Sequence, residues 1–299
     1  MPRAQKHSMN EALARYLDQW ELSHPELLAK TFASDLYKVE ADGQTAVLKI
    51  LSEAGAKDER SAADVLKWYR GHGAIQLLRH DLGAMLLEYV DGGDLTELVK
   101  NGRDDEATKI IADVLNTLHF ASRSEISDHL TPLSQRFQSL FDKANQDREQ
   151  DSIYRRGAAV ARDLLCEQGP AHVLHGDIHH ENIRQHPERG WLAIDPKGLI
   201  GERAYDAANA LCNPHSLPKI VQNPERLIRQ ADIIATALDL DRKRLLSYTF
   251  AHACLSACWS LEDGDDPSHA LAMAEITESC INPDAGSRPA PHRNGVNFS

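Results

Sequence analysis

Long apolar runs are missing from this 299-residue chain. A membrane-crossing helix needs roughly 18 or more consecutive apolar residues, and none occurs. Residues 1–21 are polar and amphipathic, without the apolar core that follows a charged stub in a secretory leader. A cytoplasmic location with no membrane partner is expected. Basic residues are also scarce: 33 Lys and Arg stand against 45 Asp and Glu, a net charge of -12. Nucleic acid is bound through clustered Lys and Arg, so it is not an expected partner; the acidic surplus suits a cationic small molecule. Cysteines are few and odd in number: Cys166, Cys212, Cys254, Cys258 and Cys280. Such a set predicts thiols in a reducing compartment rather than a disulfide framework. Cys254 and Cys258 lie one helical turn apart but lack a second ligand pair at zinc spacing, which predicts core packing. Internal repeats are absent. What remains, 42% hydrophobic and 26% charged residues, is the composition of an ordinary globular protein. Residues 283–299, rich in Pro, Gly, Asn and Ser, read as a disordered or loosely docked tail.

The most informative segment is His175-Gly176-Asp177-Ile178-His179-His180-Glu181-Asn182, followed by Asp195 after the apolar run Trp191-Leu192-Ala193-Ile194. Residues 183–185 and 191–194 read as short strands around the turn-rich stretch 186–190. That hairpin brings Asn182 and Asp195 side by side at its open end, where a carboxamide and a carboxylate can share a hard cation. Asp177, five positions before Asn182, is then placed to meet an acceptor hydroxyl, which is the division of labour that phosphoryl transfer from ATP requires.

A second cluster lies near the start. Residues 37–41 and 44–50 are β-favouring runs joined by Asp42-Gly43, a strong two-residue hairpin signal. Lys49, inside the second run, needs an anion if it points inward. Residues 58–70 have helical spacing that puts Glu59 on the apolar face as a partner for Lys49, with Asp58 and Asp64 as competitors. Two further apolar runs, 75–78 and 83–90, end at Asp91-Gly92-Gly93-Asp94, a flexible connector. Beyond it, residues 95–117, 133–144, 153–167, 224–238 and 242–261 carry helical periodicity. The expected class is α+β, a small sheet-bearing lobe and a larger, mainly helical lobe, with the Asp177 loop facing the cleft.

These residues resemble the kinase-like antibiotic phosphotransferases, within them the streptomycin 6-kinase and hydroxyurea phosphotransferase branch. The resemblance rests on Ala46-Val47-Leu48-Lys49, residues 71–78, Leu86-Leu87-Glu88, His175-Gly176-Asp177 through Asn182, residues 191–197 with Gly201-Glu202-Arg203-Ala204-Tyr205-Asp206, and residues 259–264. It implies a protein-kinase-like two-lobe fold: residues 1–90 as nucleotide-binding lobe with an antiparallel sheet, 91–282 as catalytic and substrate lobe, and 283–299 as tail. It further implies ATP and Mg2+, with Asp177 as catalytic base and Asn182 and Asp195 as magnesium ligands. Lys49 would hold the α- and β-phosphates, the backbone of residues 88–90, including Glu88 and Val90, would hold the adenine, and Asp206 would brace the catalytic loop from a looping segment. Two departures stand out. The turn around residues 31–37 has no glycine, leaving backbone amides and the Ser34 hydroxyl to cradle the phosphates. Ala62 takes the position where relatives tend to carry the lysine's glutamate partner, leaving Glu59 one turn earlier as substitute.

For the acceptor, Glu262 and Asp263 beside Trp259 suit a guanidinium or ammonium group through charge pairing and cation–π contact. An aminoglycoside such as streptomycin, or hydroxyurea, is the expected acceptor. Two rival readings carry their own signatures. The cluster His175, Asp177, His179 and His180 could bind zinc for hydrolysis, although its order differs from the His-x-His-x-Asp-His of metallo-β-lactamase-like enzymes. A kinase-shaped binding protein without turnover would keep the fold, yet Lys49, Asp177, Asn182 and Asp195 are all present together.

Overall fold

The computed structural model describes residues 2–31, 33–52, 56–121 and 126–281, with the side chains of residues 2–10 and 56–60 left aside. The expected tail and the side chains of Asp58 and Glu59 therefore lie outside the described residues.

Among these residues five strands form one antiparallel sheet: β1 (Ser23–Lys30), β2 (Ser34–Ala41), β3 (Gln44–Leu51), β4 (Leu77–His80) and β5 (Ala84–Glu88), in the spatial order β1-β2-β3-β5-β4. The β2–β3 hairpin closes on Asp42 and Gly43, both at positive φ (52° and 76°), as the Asp-Gly pair requires. The period-2 alternation of β3 then separates two faces. Ala46, Leu48 and Ile50 join Tyr37, Val39, Ala84 and Leu86 in a buried cluster capped by Tyr16 and Trp20, at the end of the helix Pro2–Gln19 and just beyond it. Val47 and Lys49 face the other way, toward the helix Ala56–Tyr69 and a cleft. β1, which the sequence did not suggest, is a fully exposed edge strand holding Pro25, a residue that edge positions tolerate.

The second and larger core is mainly helical. It is assembled from the helices Asp104–His119, Ile153–Cys166, Arg203–Leu211, Pro224–Leu238, Arg242–Asp263 and Ser268–Ile281. Two expected helices are each broken in two. Asn101-Gly102 separates Thr96–Lys100 from Asp104–His119, and Phe137 separates Leu133–Arg136 from Gln138–Gln146. Cys212, Cys254 and Cys258 are buried thiols, Cys280 is half-buried and Cys166 exposed; burial pushes the Cys258 thiol up to about 12. No helix among the described residues is long and apolar enough to cross a membrane.

The expected hairpin is present as strands Ile183–His186 and Gly190–Ala193, with Ile183 opposite Ala193. It is clamped to the sheet-bearing part of the chain. Arg189, at its tip, donates to both carboxylate oxygens of Glu88 at 2.5 Å and to the carbonyl of Gly71. Gly92 passes so close that a Cβ there would lie 1.9 Å from the Gln185 carbonyl oxygen. The glycine pair after β5 thus serves close packing, with Gln185 N donating to Gly93 O at 3.1 Å, as well as the change of direction.

Candidate active site

The site is built where the hairpin's open end meets β3. Ile194 N donates to the Asn182 carbonyl at 2.9 Å, which sets Asn182 and Asp195 next to one another. Lys49 Nζ, from the cleft face of β3, lies 2.7 Å from Asp195 Oδ1, and Lys197 Nζ lies 2.7 Å from Oδ2. Burial opposes ionisation of Asp195, but the two ammonium groups outweigh it and hold this carboxyl well below the usual range. Asp195 has φ of 56°, a left-handed conformation that outside glycine is visited mainly by Asp and Asn.

Asp177 stands beside this group. Asn182 Nδ2 donates to the Asp177 carbonyl at 3.0 Å and to Oδ2 at 3.4 Å, and Lys197 Nζ is 3.8 Å from the same Oδ2. Asn209 Nδ2 donates to the other carboxylate oxygen, Oδ1, at 2.9 Å. The loop itself is pinned from below by Asp206. This fully buried carboxylate accepts from His175 N at 2.9 Å and Gly176 N at 2.7 Å and contacts His119 Nε2 at 3.1 Å. Burial would raise its pKa, but those donors and the adjacent histidines lower it. Gly176 has φ of 83° and a Cβ there would fall 2.6 Å from Leu199 Cγ, so the sharp turn before Asp177 needs glycine.

The expected looping segment around Asp206 is in fact the helix Arg203–Leu211. That correction has a physical cause. The run is only nine residues long and seven of them are buried, so its polar stripe, with Asp206 and Asn209, turns inward to the loop instead of to solvent. The same helix carries a residue missed in the sequence: Asn209, three positions after Asp206 on the same face, donates to the Asp177 carboxylate. Lys197, quoted within the motif but given no role, is the second such residue.

A cavity of about 760 Å³ opens between the sheet and the hairpin, lined among others by Ser34, Lys49, Glu88, Val90, Asn182 and Asp195. Six of the sequence-predicted residues thereby line one cavity together with Ala62, and Asp177 stands just beyond Asn182 and Lys197. The glycine-free turn is closed by side chains instead. Thr31 Oγ1 donates to Ser34 O at 3.0 Å and accepts from Ser34 N at 2.9 Å, and the two hydroxyls are 3.3 Å apart. Trp259 is half-buried beneath Arg136, whose guanidinium carbon sits 4.2 Å from the ring centroid. Glu262 and Asp263 are exposed at the end of their helix, where Glu262 accepts from Ser139 at 3.2 Å; neither belongs to the cavity wall.

The four residues of the zinc reading do not converge. The His175 ring is buried, bonded through Nε2 to Ile194 O at 3.0 Å and through Nδ1 to Asp177 N at 3.2 Å. His180 is buried under the influence of Arg226 and Asp104, and His179 pairs with Glu181 at 2.8 Å. Among the described residues no three His, Cys, Asp or Glu side chains are disposed to hold a metal ion together.

The architecture is that of the kinase-like phosphotransferases. It superposes on a thermostable mutant of aminoglycoside phosphotransferase APH(4)-Ia, solved with ADP and hygromycin B, with a TM-score of 0.64 over 92% of this chain and 99% of that one at 16% identity. The sequence places it more closely. Residues 19–264 match the family model described as aminoglycoside/hydroxyurea antibiotic resistance kinase, and the chain belongs to that family. It is 37% identical to streptomycin 3''-kinase of Klebsiella pneumoniae over 83% of this chain and 92% of that protein. It is 32% identical to streptomycin 6-kinase of Streptomyces griseus over 84% and 83% respectively. The chain is therefore an enzyme of the small-molecule kinase class.

Proposed function

We propose that the enzyme transfers the γ-phosphoryl group of ATP to a hydroxyl of a small cationic molecule, with streptomycin as the leading acceptor and hydroxyurea as the alternative that the family description admits. One observation carries the reading: beside one cavity Lys49 Nζ lies 2.7 Å from Asp195 Oδ1, Lys197 Nζ lies 2.7 Å from Asp195 Oδ2 and 3.8 Å from Asp177 Oδ2, and Asn182 Nδ2 is 3.4 Å from that same Asp177 oxygen. The kinases of 37% and 32% identity support the choice of streptomycin.

In this reading the adenine lies against the backbone of residues 88–90 and Lys49 draws the α- and β-phosphates toward the cavity floor. The donor set fits Mg2+, because Asn182 turns its nitrogen to Asp177 and so keeps its oxygen for a cation, while Asp195 stays ionised. Bound there, Mg2+ would neutralise charge on the phosphates. Asp177 orients the acceptor hydroxyl and takes its proton as the new O–P bond forms. Positioning and charge supply most of the rate, since little covalent work falls to the protein.

Removing the ammonium tests the nucleotide side. Lys49→Met should weaken ADP binding about 10- to 100-fold, the worth of one charge-assisted hydrogen bond. Isothermal titration checks it; unchanged affinity would remove Lys49 from the phosphate site. The acceptor is tested by a coupled ADP assay with magnesium and ATP across streptomycin, other aminoglycosides, hydroxyurea and small amino alcohols. Turnover is expected first with streptomycin. ADP release with none of these acceptors would leave the kinase-shaped binding protein as the better description.

A further inference from the structure

Between Arg136 and Asp177 every hydrogen bond has a direction that side-chain chemistry fixes. Arginine has only donors, so the Tyr205 oxygen accepts from Arg136 Nε at 3.2 Å. The hydroxyl proton then points to His252 Nδ1, 3.4 Å away. Burial keeps His252 neutral, its pKa pushed down to about 3, with Arg136, His215 and His179 adding to the effect. A neutral imidazole that accepts at Nδ1 carries its proton on Nε2, and Nε2 donates to Asn209 Oδ1 at 3.2 Å. Asn213 Nδ2 donates to the same oxygen at 2.9 Å. Asn213 is itself fixed, because its Oδ1 accepts from His215 N at 3.3 Å. With two donors on its oxygen, Asn209 must turn its Nδ2 to Asp177 Oδ1, 2.9 Å away. The flipped amide would set oxygen against a carboxylate and nitrogen against two donors.

We propose that Arg136, Tyr205, His252 and Asn209 form a one-way hydrogen-bond relay that commits Asp177 Oδ1 to a fixed donor and leaves Oδ2 as the oxygen that takes the acceptor's proton. The proposal rests on Asp177 being the base. Oδ2 is the oxygen on the side of Asn182 and Lys197, both in the cavity wall, so it faces the transferring phosphoryl group. The step balances: the acceptor O–H bond breaks and its proton goes to Oδ2, an O–P bond forms, and the bond to the β-phosphate oxygen breaks to leave ADP. The four relay members are positioning residues, since none of them meets the reacting atoms.

The test uses steady-state kinetics with magnesium, ATP and streptomycin. Asn209→Leu should lower kcat about 100-fold while the KM for ATP stays within about threefold, the pattern of a lost transition-state interaction. Tyr205→Phe leaves the His252 tautomer unset and should cost about tenfold in kcat. His252→Gln, whose amide donor can stand where Nε2–H stood, should restore at least about tenfold of the turnover lost in His252→Leu. In the His252→Gln background Tyr205→Phe should cost under about threefold, because no tautomer remains to be set. Equal costs of Tyr205→Phe in the two backgrounds would mean simple packing and overturn the relay; so would Asn209→Leu turning over at the wild-type rate. ADP titration reports whether each variant is folded, and should Asn209→Leu fail there, the Tyr205 and His252 pair decides alone. Asp177→Asn separates the two levels: turnover retained in it defeats the base assignment, whereas turnover lost in it but kept in Asn209→Leu defeats the relay only.

Discussion

Asp177→Asn is expected to lower kcat by about 10²- to 10⁴-fold, the usual contribution of a positioned general base. ADP affinity should stay within a few fold of wild type. The substitution is nearly isosteric, and a carboxamide oxygen can still accept from Asn209 Nδ2, which now lies 2.9 Å from Asp177 Oδ1. What disappears is basicity. Lys49 and Asp195, the residues proposed for the nucleotide side, are untouched, so stopped turnover with intact binding is the signature. Weakened ADP binding of the same order as the kcat loss would instead make Asp177 part of the nucleotide site.

The second large effect is on stability. Asp206→Ala should destabilise the protein by about 3–5 kcal/mol, the cost of taking one partner from a buried charged network. Three groups lose their acceptor at once: His175 N, Gly176 N and His119 Nε2. Urea unfolding measures it, and a change under about 1 kcal/mol would show that the loop is held by other contacts. A pH dependence accompanies it. The Asp206 pKa is lowered in the folded protein, so its contribution is fully present above the ordinary carboxylate pKa of about 3.9 and is lost as pH falls through the depressed value. That acid-side loss should be missing from Asp206→Asn.

The parts of this architecture written in short stretches of sequence were the legible ones. Asp42-Gly43 announces the β2–β3 turn, and the helical spacing of residues 224–238 announces the helix Pro224–Leu238, whose first turn the structure shows capped by the Asn223 side chain. The hairpin between Asn182 and Asp195 follows from alternating residues around a turn. Each is a local signal, and the last of them places Asn182 and Asp195 side by side. Lys49 could be set on the inward face only by pairing β3 with the sheet, and the resemblance supplied what periodicity left open.

The illegible parts depend on contacts distant in sequence. β1 has no alternation because both of its faces are exposed. The three-stranded sheet of Thr131–Pro132, Leu199–Gly201 and His172–Leu174 consists of pairs and triplets too short to carry a period. The helix Arg203–Leu211 hides its role because it is buried on nearly every side. Asn209 reaches Asp177 across 32 positions and His252 reaches Asn209 across 43. No local pattern encodes such pairs; packing of the helices Arg203–Leu211 and Arg242–Asp263 against one another does. Glu262 and Asp263, expected with Trp259 at the acceptor site, are exposed at a helix end outside the cavity that Lys49 lines.

The most direct measurement is mass spectrometry of streptomycin after incubation with the purified enzyme, magnesium and ATP, beside the Asp177→Asn variant. The account predicts one added phosphoryl group per streptomycin with the wild type and an unmodified antibiotic with the variant over the same period. Phosphorylation at equal rates by both proteins would contradict it.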